Sequence, residues 1–264
     1  MVDIGLLRSI AGRTGLGLKY ISKEDKISNL VSQISGWKDI EFALKGGTAL
    51  NRVHLGEHGR FSEDLDIDIL GRTSVDKKLK QLKTSLSDLE GFEVEGPRML
   101  HLTARFDCYY TNEFGDRDRV MLEFYLANKK PESVRPLEPI LITSRFIETS
   151  PAVFPCYSLE DLVAQKFVTL YYRKQGKDIY DIFHALDLDL DKKAVMEALK
   201  LRLKLRGEKM TPGKFLAELI SQQDEYMSIS TQLMNATNHF IPRNQRPNWK
   251  IFIATVFDKI DRFL

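Results

Sequence analysis

The sequence predicts an α+β protein in which a mixed α/β domain over residues 1–150 precedes a helical domain over residues 151–264. Three observations support this prediction. Aspartate alternates with aliphatic residues in LDIDIL, between two segments of helical periodicity. Three further strand patterns follow Gly91. Beyond Ser158 the apolar spacing is mostly helical, and strands followed by a run of helices are typical of an α+β chain.

The first half of the chain alternates between helix and strand patterns. Gly36 and Gly91 each follow a segment with helical periodicity and are expected to end it. Strict alternation of apolar and polar residues marks the strand between these helices. The predicted order is a helix over 23–35, a strand over 40–44, a turn with a short helix from residue 46, a strand over 65–70 and a helix over 75–89.

Three strand patterns complete the predicted sheet, over residues 92–95, 100–110 and 118–127. The segment NEFGDRD between the last two is a predicted hairpin turn. Five prolines fall between residues 131 and 155. They predict an extended connector, because proline restricts its own backbone and that of the preceding residue. We place the domain boundary in this connector, near residue 150.

The second half begins with a helix-capping pattern. Ser158 precedes Asp161 by three residues, as in a capping box, and helical periodicity follows. Gly176 then separates this helix from the next one. The remaining sequence, up to Leu264, carries few strand signals, so we expect a domain made mainly of helices.

Composition restricts the class of protein. Of the 264 residues, 43% are hydrophobic and 29% are charged, as in ordinary globular proteins. No apolar run reaches the length of a membrane span, and the first residues lack a signal-peptide pattern. Cys108 and Cys156 have no metal-binding spacing, so we expect a reduced cytoplasmic protein. Because no apolar span is present, we also expect no membrane partner. The net charge of +2 is too small to indicate a binding partner.

The alternating aspartates form the first candidate site. Residues i and i+2 of a strand share one face, about 6.6 Å apart, so Asp64, Asp66 and Asp68 lie in a row. Carboxylates this close repel one another unless a cation neutralises them. Oxygen ligands favour a hard ion such as Mg²⁺, with Mn²⁺ as the alternative. The competing interpretation is an exposed edge strand whose charges prevent aggregation.

A glycine pair precedes this strand. Gly46 and Gly47 allow the backbone to come close to a ligand. If Thr48 begins a helix, its free N–H groups and its hydroxyl can bind phosphate oxygens. The segment GGTALNRV is not a Walker loop, because the Gly-Lys-Ser/Thr ending is missing. A glycine pair alone more often marks a turn, so the prediction of phosphate binding depends on the acidic strand that follows.

Together, KGGTAL and RFSEDLDIDI resemble the first motif of the nucleotidyltransferase-fold toxins of the AbiEii and MenT type. Arg60, Ser62, Asp64 and Asp66 match the family's Arg, Ser/Thr and Asp-Leu-Asp pattern. The resemblance implies a nucleotidyltransferase fold with a mixed sheet, metal binding by both aspartates, and a nucleotide bordered by Ser62. It also implies a third carboxylate on a later strand, for which Glu123 is the candidate. A solvent-facing glutamate is the alternative for that position.

The segment QKFVTLYYRKQGKDIYDI resembles the family's second motif block. The resemblance implies that Lys166 contacts the nucleotide phosphates and acts in catalysis. It also implies that Asp178 and Asp181 complete or brace the nucleotide site. Lys177 stands where the family often has arginine. From spacing alone, ordinary helix capping and surface charge explain the same residues.

The helical half also carries a basic bias. Lysine and arginine outnumber acidic residues between residues 192 and 214, and Arg243, Arg246 and Lys250 surround Trp249. A solvated helix face explains this bias adequately. The alternative is a surface that follows an RNA backbone, with an aromatic residue available for stacking.

The leading hypothesis is a Mg²⁺-dependent enzyme that transfers a nucleotidyl group from a nucleoside triphosphate to an acceptor hydroxyl. By resemblance, the acceptor is the 3′ end of tRNA, and the protein is the toxin of a toxin–antitoxin or phage-defence pair with a separate antitoxin protein. A second hypothesis keeps the chemistry but has a small-molecule or protein acceptor. A third is a non-catalytic module that binds nucleotide or RNA.

Overall fold

The computed structural model describes residues 3–149 and 151–264 and shows the predicted combination of helices with a mixed sheet. Two helices come first, α1 (Ile4–Thr14) and α2 (Leu18–Ser35). Helix α2 ends before Gly36, as predicted, but begins earlier than predicted. Tyr20 and Ile21 are already buried in its first turn, so core packing extends the helix toward the N-terminus.

Seven strands in the described residues form one sheet. They are β1 (Phe42–Lys45), β2 (Asp64–Ile69), β3 (Glu93–Leu100), β4 (Thr103–Thr111), β5 (Arg117–Tyr125), β6 (Glu138–Ile142) and β7 (Ala152–Cys156). Their order across the sheet is β3–β4–β5–β2–β1–β7–β6. The acidic strand β2 is central, antiparallel to β1 and parallel to β5, so the sheet is mixed.

Two strand regions differ from the sequence expectations. Strand β3 runs beyond the expected segment and through Pro97, with a register shift between Glu95 and Arg98. Proline is tolerated there because β3 lies at the edge of the sheet. The expected connector contains β6 and β7, which pair with each other, and β7 also pairs with β1. The sheet thus continues past residue 150, and the division into two domains stays a prediction.

Helices surround and follow the sheet. Between β1 and β2, α3 (Gly46–Ala49) continues through a π-helical turn (Leu50–His54), and α4 (Val75–Ser87) follows β2. After the sheet come α5 (Leu159–Arg173), α6 (Gly176–Ala185), α7 (Lys192–Leu205), α8 (Pro212–Ile220), α9 (Gln223–Ser228), α10 (Ser230–Thr237) and α11 (Trp249–Phe263). None of the helices in the described part of the chain has the length and hydropathy that a membrane crossing needs.

Strand β2 separates apolar from charged side chains. Leu65 and Ile67 are fully buried, and the register places them beside Leu122 and Phe124 of β5, which are also buried. The intervening aspartates lie on the opposite face, because successive strand residues alternate between faces. One face of the central sheet therefore belongs to the hydrophobic core and the other carries charge.

A buried lysine attaches α4 to the ends of two sheet strands. Lys78 is 2% exposed, and its Nζ donates hydrogen bonds to three backbone carbonyls. The acceptors are Ile69 at 2.9 Å, Leu126 at 2.9 Å and Asn128 at 2.7 Å. These carbonyls follow or end β2 and β5, where no further ladder hydrogen bonds are available. Lys78 therefore satisfies polar groups that would otherwise be buried without a partner.

We expect Lys78→Met to lower the free energy of unfolding by about 2–3 kcal/mol, because buried carbonyls would lose their donor. Lys80→Met, on the exposed side of the same helix, is the matched control and should change stability by less than about 0.5 kcal/mol. Urea unfolding followed by circular dichroism measures both values. Equal stability of the two variants would show that water replaces the ammonium group without cost.

Candidate active site

A row of four charged residues crosses the central strands on the polar face of the sheet. Lys45 of β1 pairs in register with Asp66 of β2, Asp66 with Glu123 of β5, and Glu123 with Arg105 of β4. Side chains in register on neighbouring strands point to the same face. The row thus consists of two neighbouring carboxylates with a cation at each end. Arg105 forms an ion pair with Glu123.

Asp64 and Asp66 have no hydrogen bond or ion pair to their carboxylates from any residue within 3–149 or 151–264. Burial raises the pKa of Asp64 to about 6, and Asp66 is the next largest cause of the rise. Burial also raises the pKa of Asp66, against the attraction of Lys45. Two neighbouring, partly enclosed carboxylates without donors form a site that a cation would stabilise.

Asp68, on the same face, has a different environment. Its buried carboxylate accepts hydrogen bonds from Asn128 Nδ2 at 2.8 Å and from the Tyr157 hydroxyl at 2.5 Å. Lys45 completes the set with an ion pair. Because protein groups already neutralise this carboxylate, Asp68 is a structural residue of the strand.

The glycine pair allows α3 to begin directly against the acidic strand. Gly46 has a φ of +70°, and a Cβ atom there would lie 2.1 Å from Asp66 Oδ2. A Cβ atom on Gly47 would lie 3.3 Å from Ser62 Oγ. A left-handed backbone and a close carboxylate both require glycine at position 46. The glycines therefore bring the start of α3 and Asp66 together at one point.

The two hydroxyl residues near this point are buried rather than open to the cleft. Thr48 Oγ1 lies 2.9 Å from Ser62 Oγ and also contacts the backbone carbonyl of Asp64. Thr48 is fully buried. In this arrangement the two hydroxyls fasten α3 to the start of β2. Their predicted contacts with nucleotide stay predictions.

A buried network of ion pairs lies behind the glycine pair. Lys166 Nζ is 2.8 Å from Asp178 Oδ1 and 2.7 Å from Asp181 Oδ2. Arg60 Nη2 donates to Asp181 at 2.8 Å, and Arg173 Nε donates to Asp178 at 2.8 Å. Three cations thus surround two carboxylates, which leaves a net positive charge beside the cleft. The network joins α5 and α6 to the segment that precedes β2.

The two network carboxylates are held in their charged form. Burial alone would raise the pKa of Asp178, but Lys166 and Arg173 outweigh it and hold that pKa well below its usual range. For Asp181, Arg60 and Lys166 likewise outweigh burial and lower the pKa. Both side chains are fully buried. The geometry gives them a bracing position, which is one of the two roles that the second motif implies.

A cleft of about 540 Å³ opens between the acidic strand and helices α5 and α7. Of the sequence-predicted site residues, Gly46, Gly47, Asp66 and Lys166 line it. The remaining predicted residues do not line this cleft: Thr48, Arg60, Ser62, Asp64, Glu123, Asp178 and Asp181. Of these, Arg60 and Ser62 line a separate, smaller cavity.

The cleft also contains residues that the sequence did not assign to the site. They are Lys45, Tyr125, Glu132, Gln165, Arg173, Arg202 and Arg206. Lys45 directly precedes the glycine pair, and Arg173 shares a helix face with Lys166, so both carried a local signal. Gln165 stands next to Lys166 in the second motif, and Arg202 and Arg206 belong to the basic stretch over residues 192–214, whereas Tyr125 and Glu132 had no signal.

The donor set fits a hard divalent ion that is held in part by substrate. No group of three or more His, Cys, Asp or Glu side chains in the described ranges is arranged to hold an ion by itself. Mg²⁺ is commonly bound through one or two carboxylates together with substrate phosphates. Asp64 and Asp66 supply two such carboxylates without competing donors.

One expectation about the basic region is wrong. Trp249 is only 3% exposed, and its indole N–H donates to Asn238 Oδ1 at 2.8 Å. Arg246 donates to the backbone carbonyls of Ile241 and Gly15. Trp249 is therefore a core residue, and it is unavailable for stacking on a nucleic acid base.

The comparison with protein families agrees with this geometry. The model of the family described as "Nucleotidyl transferase AbiEii toxin, Type IV TA system" matches residues 36–262. The chain belongs to this family. The predicted family is thus confirmed, and the protein is a nucleotidyltransferase of a toxin family. No curated protein matches the chain.

Solved structures show the same fold. MenT4, a nucleotidyltransferase toxin from Mycobacterium tuberculosis, superimposes with a TM-score of 0.62 and 17% identity, over 99% of this chain and 90% of MenT4. A nucleotidyltransferase candidate from H. pylori superimposes with a TM-score of 0.59 and 16% identity, over 94% and 96% of the two chains. At this identity the likeness concerns the fold, and the predicted nucleotidyltransferase fold is confirmed.

We expect Gly46→Ala to reduce nucleotidyl transfer about 100-fold, because the added methyl group displaces Asp66 from the cleft. Gly91→Ala is the matched control, since Gly91 also has a positive φ, of +81°, but no atom lies within 4 Å of an added Cβ. Both substitutions should cost about 1–2 kcal/mol of stability for the left-handed backbone. Similar transfer rates in the two variants would show that the approach of Gly46 to Asp66 is not needed.

We expect Lys166→Met to weaken the fall of protein stability at acid pH. The folded-state pKa values of Asp178 and Asp181 lie below the unfolded value of about 3.9. Their stabilising contribution is therefore complete above about pH 4 and is lost as the pH falls through the folded values. Without Lys166 both folded values rise toward the unfolded value, so less stability is lost between about pH 4 and pH 3 than in wild type.

Urea unfolding between about pH 3 and pH 7 measures this effect, with the exposed Lys200→Met as control. At pH 7 the Lys166 variant should lose about 3–5 kcal/mol, because two buried carboxylates lose a partner. Parallel stability curves for the two variants, with the same slope below about pH 4, would contradict the proposed coupling.

Proposed function

We propose that the protein transfers a nucleotidyl group from a nucleoside triphosphate to the 3′ hydroxyl of an RNA, with tRNA as the acceptor that the family resemblance indicates. The observation that carries the proposal is the opposite charge of the two walls of the cleft. Asp66 presents an unpaired carboxylate on one side, with the unpaired Asp64 beside it on the same strand face, and the network around Lys166 presents net positive charge on the other. A triphosphate with a bound divalent ion complements both walls.

Asp64 and Asp66 would hold Mg²⁺, or Mn²⁺ as the alternative, and Glu123 would assist from the neighbouring strand. When bound, the ion supplies charge neutralisation and lowers the pKa of the attacking hydroxyl. Glu123 is kept in the row by Arg105, so its carboxylate is oriented before substrate arrives. Such preorganisation avoids reorganisation cost during the reaction.

The triphosphate would extend from Asp66 past the glycine pair to Lys166 and Arg173. Gly46 and Gly47 allow close approach of the phosphates, and the ammonium and guanidinium groups oppose the charge that develops on the leaving group. The acceptor oxygen bonds to the α-phosphorus, and the bond from that phosphorus to the bridging oxygen breaks. Pyrophosphate leaves with the bond electrons, and the hydroxyl proton passes to solvent.

The sequence-predicted site residues that are buried would act by positioning Lys166 and the start of α3. Arg60, Asp178 and Asp181 hold Lys166 in place through the ion network. Thr48 and Ser62 fix the start of α3 beside β2.

The biological setting follows from the family. A type IV toxin–antitoxin family supports a toxin that is controlled by a separate antitoxin protein. We propose a cytoplasmic location, because the proposed RNA acceptor and nucleoside triphosphate donor are both present there.

We expect Asp64→Asn and Asp66→Asn each to lower transfer by about 10²–10⁴-fold, because an ion ligand supplies several kcal/mol of transition-state stabilisation. Asp107→Asn is the control, a carboxylate on β4 that is paired with Arg119 at 3.1 Å. The assay incubates each α-labelled nucleoside triphosphate with total tRNA and Mg²⁺ and measures label in RNA.

Two outcomes would contradict the proposal. If wild-type protein binds nucleotide but labels no RNA with any of the four nucleotides, the acceptor is a small molecule or a protein, or the module is non-catalytic. If the Asp66 variant retains wild-type transfer, the acidic strand is not the metal site.

A further inference from the structure

An unpaired cation at the exposed end of the cleft, Arg206, contacts an aromatic residue that adjoins the cleft without lining it. We call Tyr172, Leu205 and Arg206 the α5–α7 rim. Tyr172 is 43% exposed and Leu205 is 49% exposed. The guanidinium of Arg206 lies over the Tyr172 ring, 4.1 Å from its centroid. Leu205 and Arg206 line the cleft together with the far less exposed Lys166, so exposure rises from its inner wall to the rim.

Arg206 differs from the other arginines of the cleft in having no carboxylate partner in the described structure. Arg173 is paired with Asp178, and Arg202 is paired with Glu132 at 3.3 Å. Arg206 is exposed and contacts Tyr172 instead. The carboxylate of Glu208 also lies beside this rim, where it accepts a hydrogen bond from the Tyr172 hydroxyl and forms no ion pair with Arg206. The positive charge of Arg206 is therefore available to a ligand at the mouth of the cleft.

The basic residues of α7 do not form one continuous surface with the rim. Lys200 and Lys204 are exposed, and each is two positions from Arg202. Two positions correspond to about 200° around a helix, so these lysines lie on the side opposite to the cleft. They form a solvated face. The cation at the mouth is thus a local feature and not part of a general basic bias.

An aromatic ring, a stacked guanidinium and an adjacent aliphatic side chain are the groups that bind unpaired nucleotides. Every base has a π-face that stacks on such a platform, and arginine adds cation–π and phosphate contacts. We propose that the α5–α7 rim binds the unpaired terminal nucleotides of the RNA whose 3′ hydroxyl accepts the nucleotidyl group. This inference rests on the proposed transfer to RNA.

The position of the rim favours the acceptor strand over the nucleoside triphosphate. The proposed phosphate contacts, Gly46 and Lys166, lie at the inner part of the cleft with Asp66. An acceptor must enter with its terminal hydroxyl foremost, and the nucleotides behind that hydroxyl then lie at the mouth. A small acceptor would leave the rim without a contact.

Steady-state transfer to total tRNA tests the inference. We expect Tyr172→Ala and Arg206→Ala each to raise the KM for tRNA roughly 10-fold, the usual order for loss of one stacking contact. The KM for nucleoside triphosphate and the kcat at saturating tRNA should stay within about twofold of wild type. Tyr172→Phe keeps the ring and should retain wild-type KM, which separates stacking from loss of the hydroxyl.

Lys204→Ala is the matched control for Arg206→Ala, because it removes the same charge from the opposite side of α7. It should leave the KM for tRNA unchanged. If both variants raise that KM equally, the effect is general electrostatic attraction and the rim proposal is wrong. If Tyr172→Ala raises the KM for nucleotide instead, the rim holds the base of the donor and the proposal is also wrong.

The experiment separates this inference from the proposed function. Wild-type protein that labels no RNA refutes the proposed function and the rim proposal together. Wild-type protein that labels tRNA, with an unchanged KM for tRNA in both alanine variants, refutes the rim proposal alone.

Discussion

The buried ion pairs of Lys166 with Asp178 and Asp181 are the constraint on which the arrangement of the protein depends. Charges without water are tolerated only when every member of the network has its partners. Arg60 closes the network from the segment that precedes β2, more than a hundred residues away in sequence. The helical half must therefore dock against the sheet in one orientation, and that orientation creates the cleft.

The same fold gives chemically identical residues different roles. Asp64, Asp66 and Asp68 alternate along one strand, yet only Asp68 has its charge neutralised by the protein, through Lys45, Asn128 and Tyr157. The first two retain raised pKa values and lack donors. A strand that carries both kinds of carboxylate is anchored at one end and has unpaired carboxylates at the other.

Packing around α3 fixes the distance between the two walls of the cleft. Gly46 lets the start of α3 approach Asp66 more closely than a residue with a Cβ atom would allow, and the contact of Thr48 with Ser62 holds α3 in this position. The positive wall stands on α5, which packs against α3 and α7. Because catalysis of phosphoryl transfer depends mainly on positioning and charge neutralisation, this fixed spacing between walls of opposite sign is the chemically important property.

The sequence alone determined several local elements and the family, but it did not reveal β6 and β7. Period-two alternation defined β2, and the capping box at Ser158 and Asp161 defined the start of α5. Only the tertiary structure decided the strand order, the pairing of Arg60 with Asp181, the burial of Trp249 and the position of Arg206 at the mouth of the cleft. The physical reason is range: periodicity and capping act within a few residues, whereas burial and ion pairing depend on which distant elements pack together.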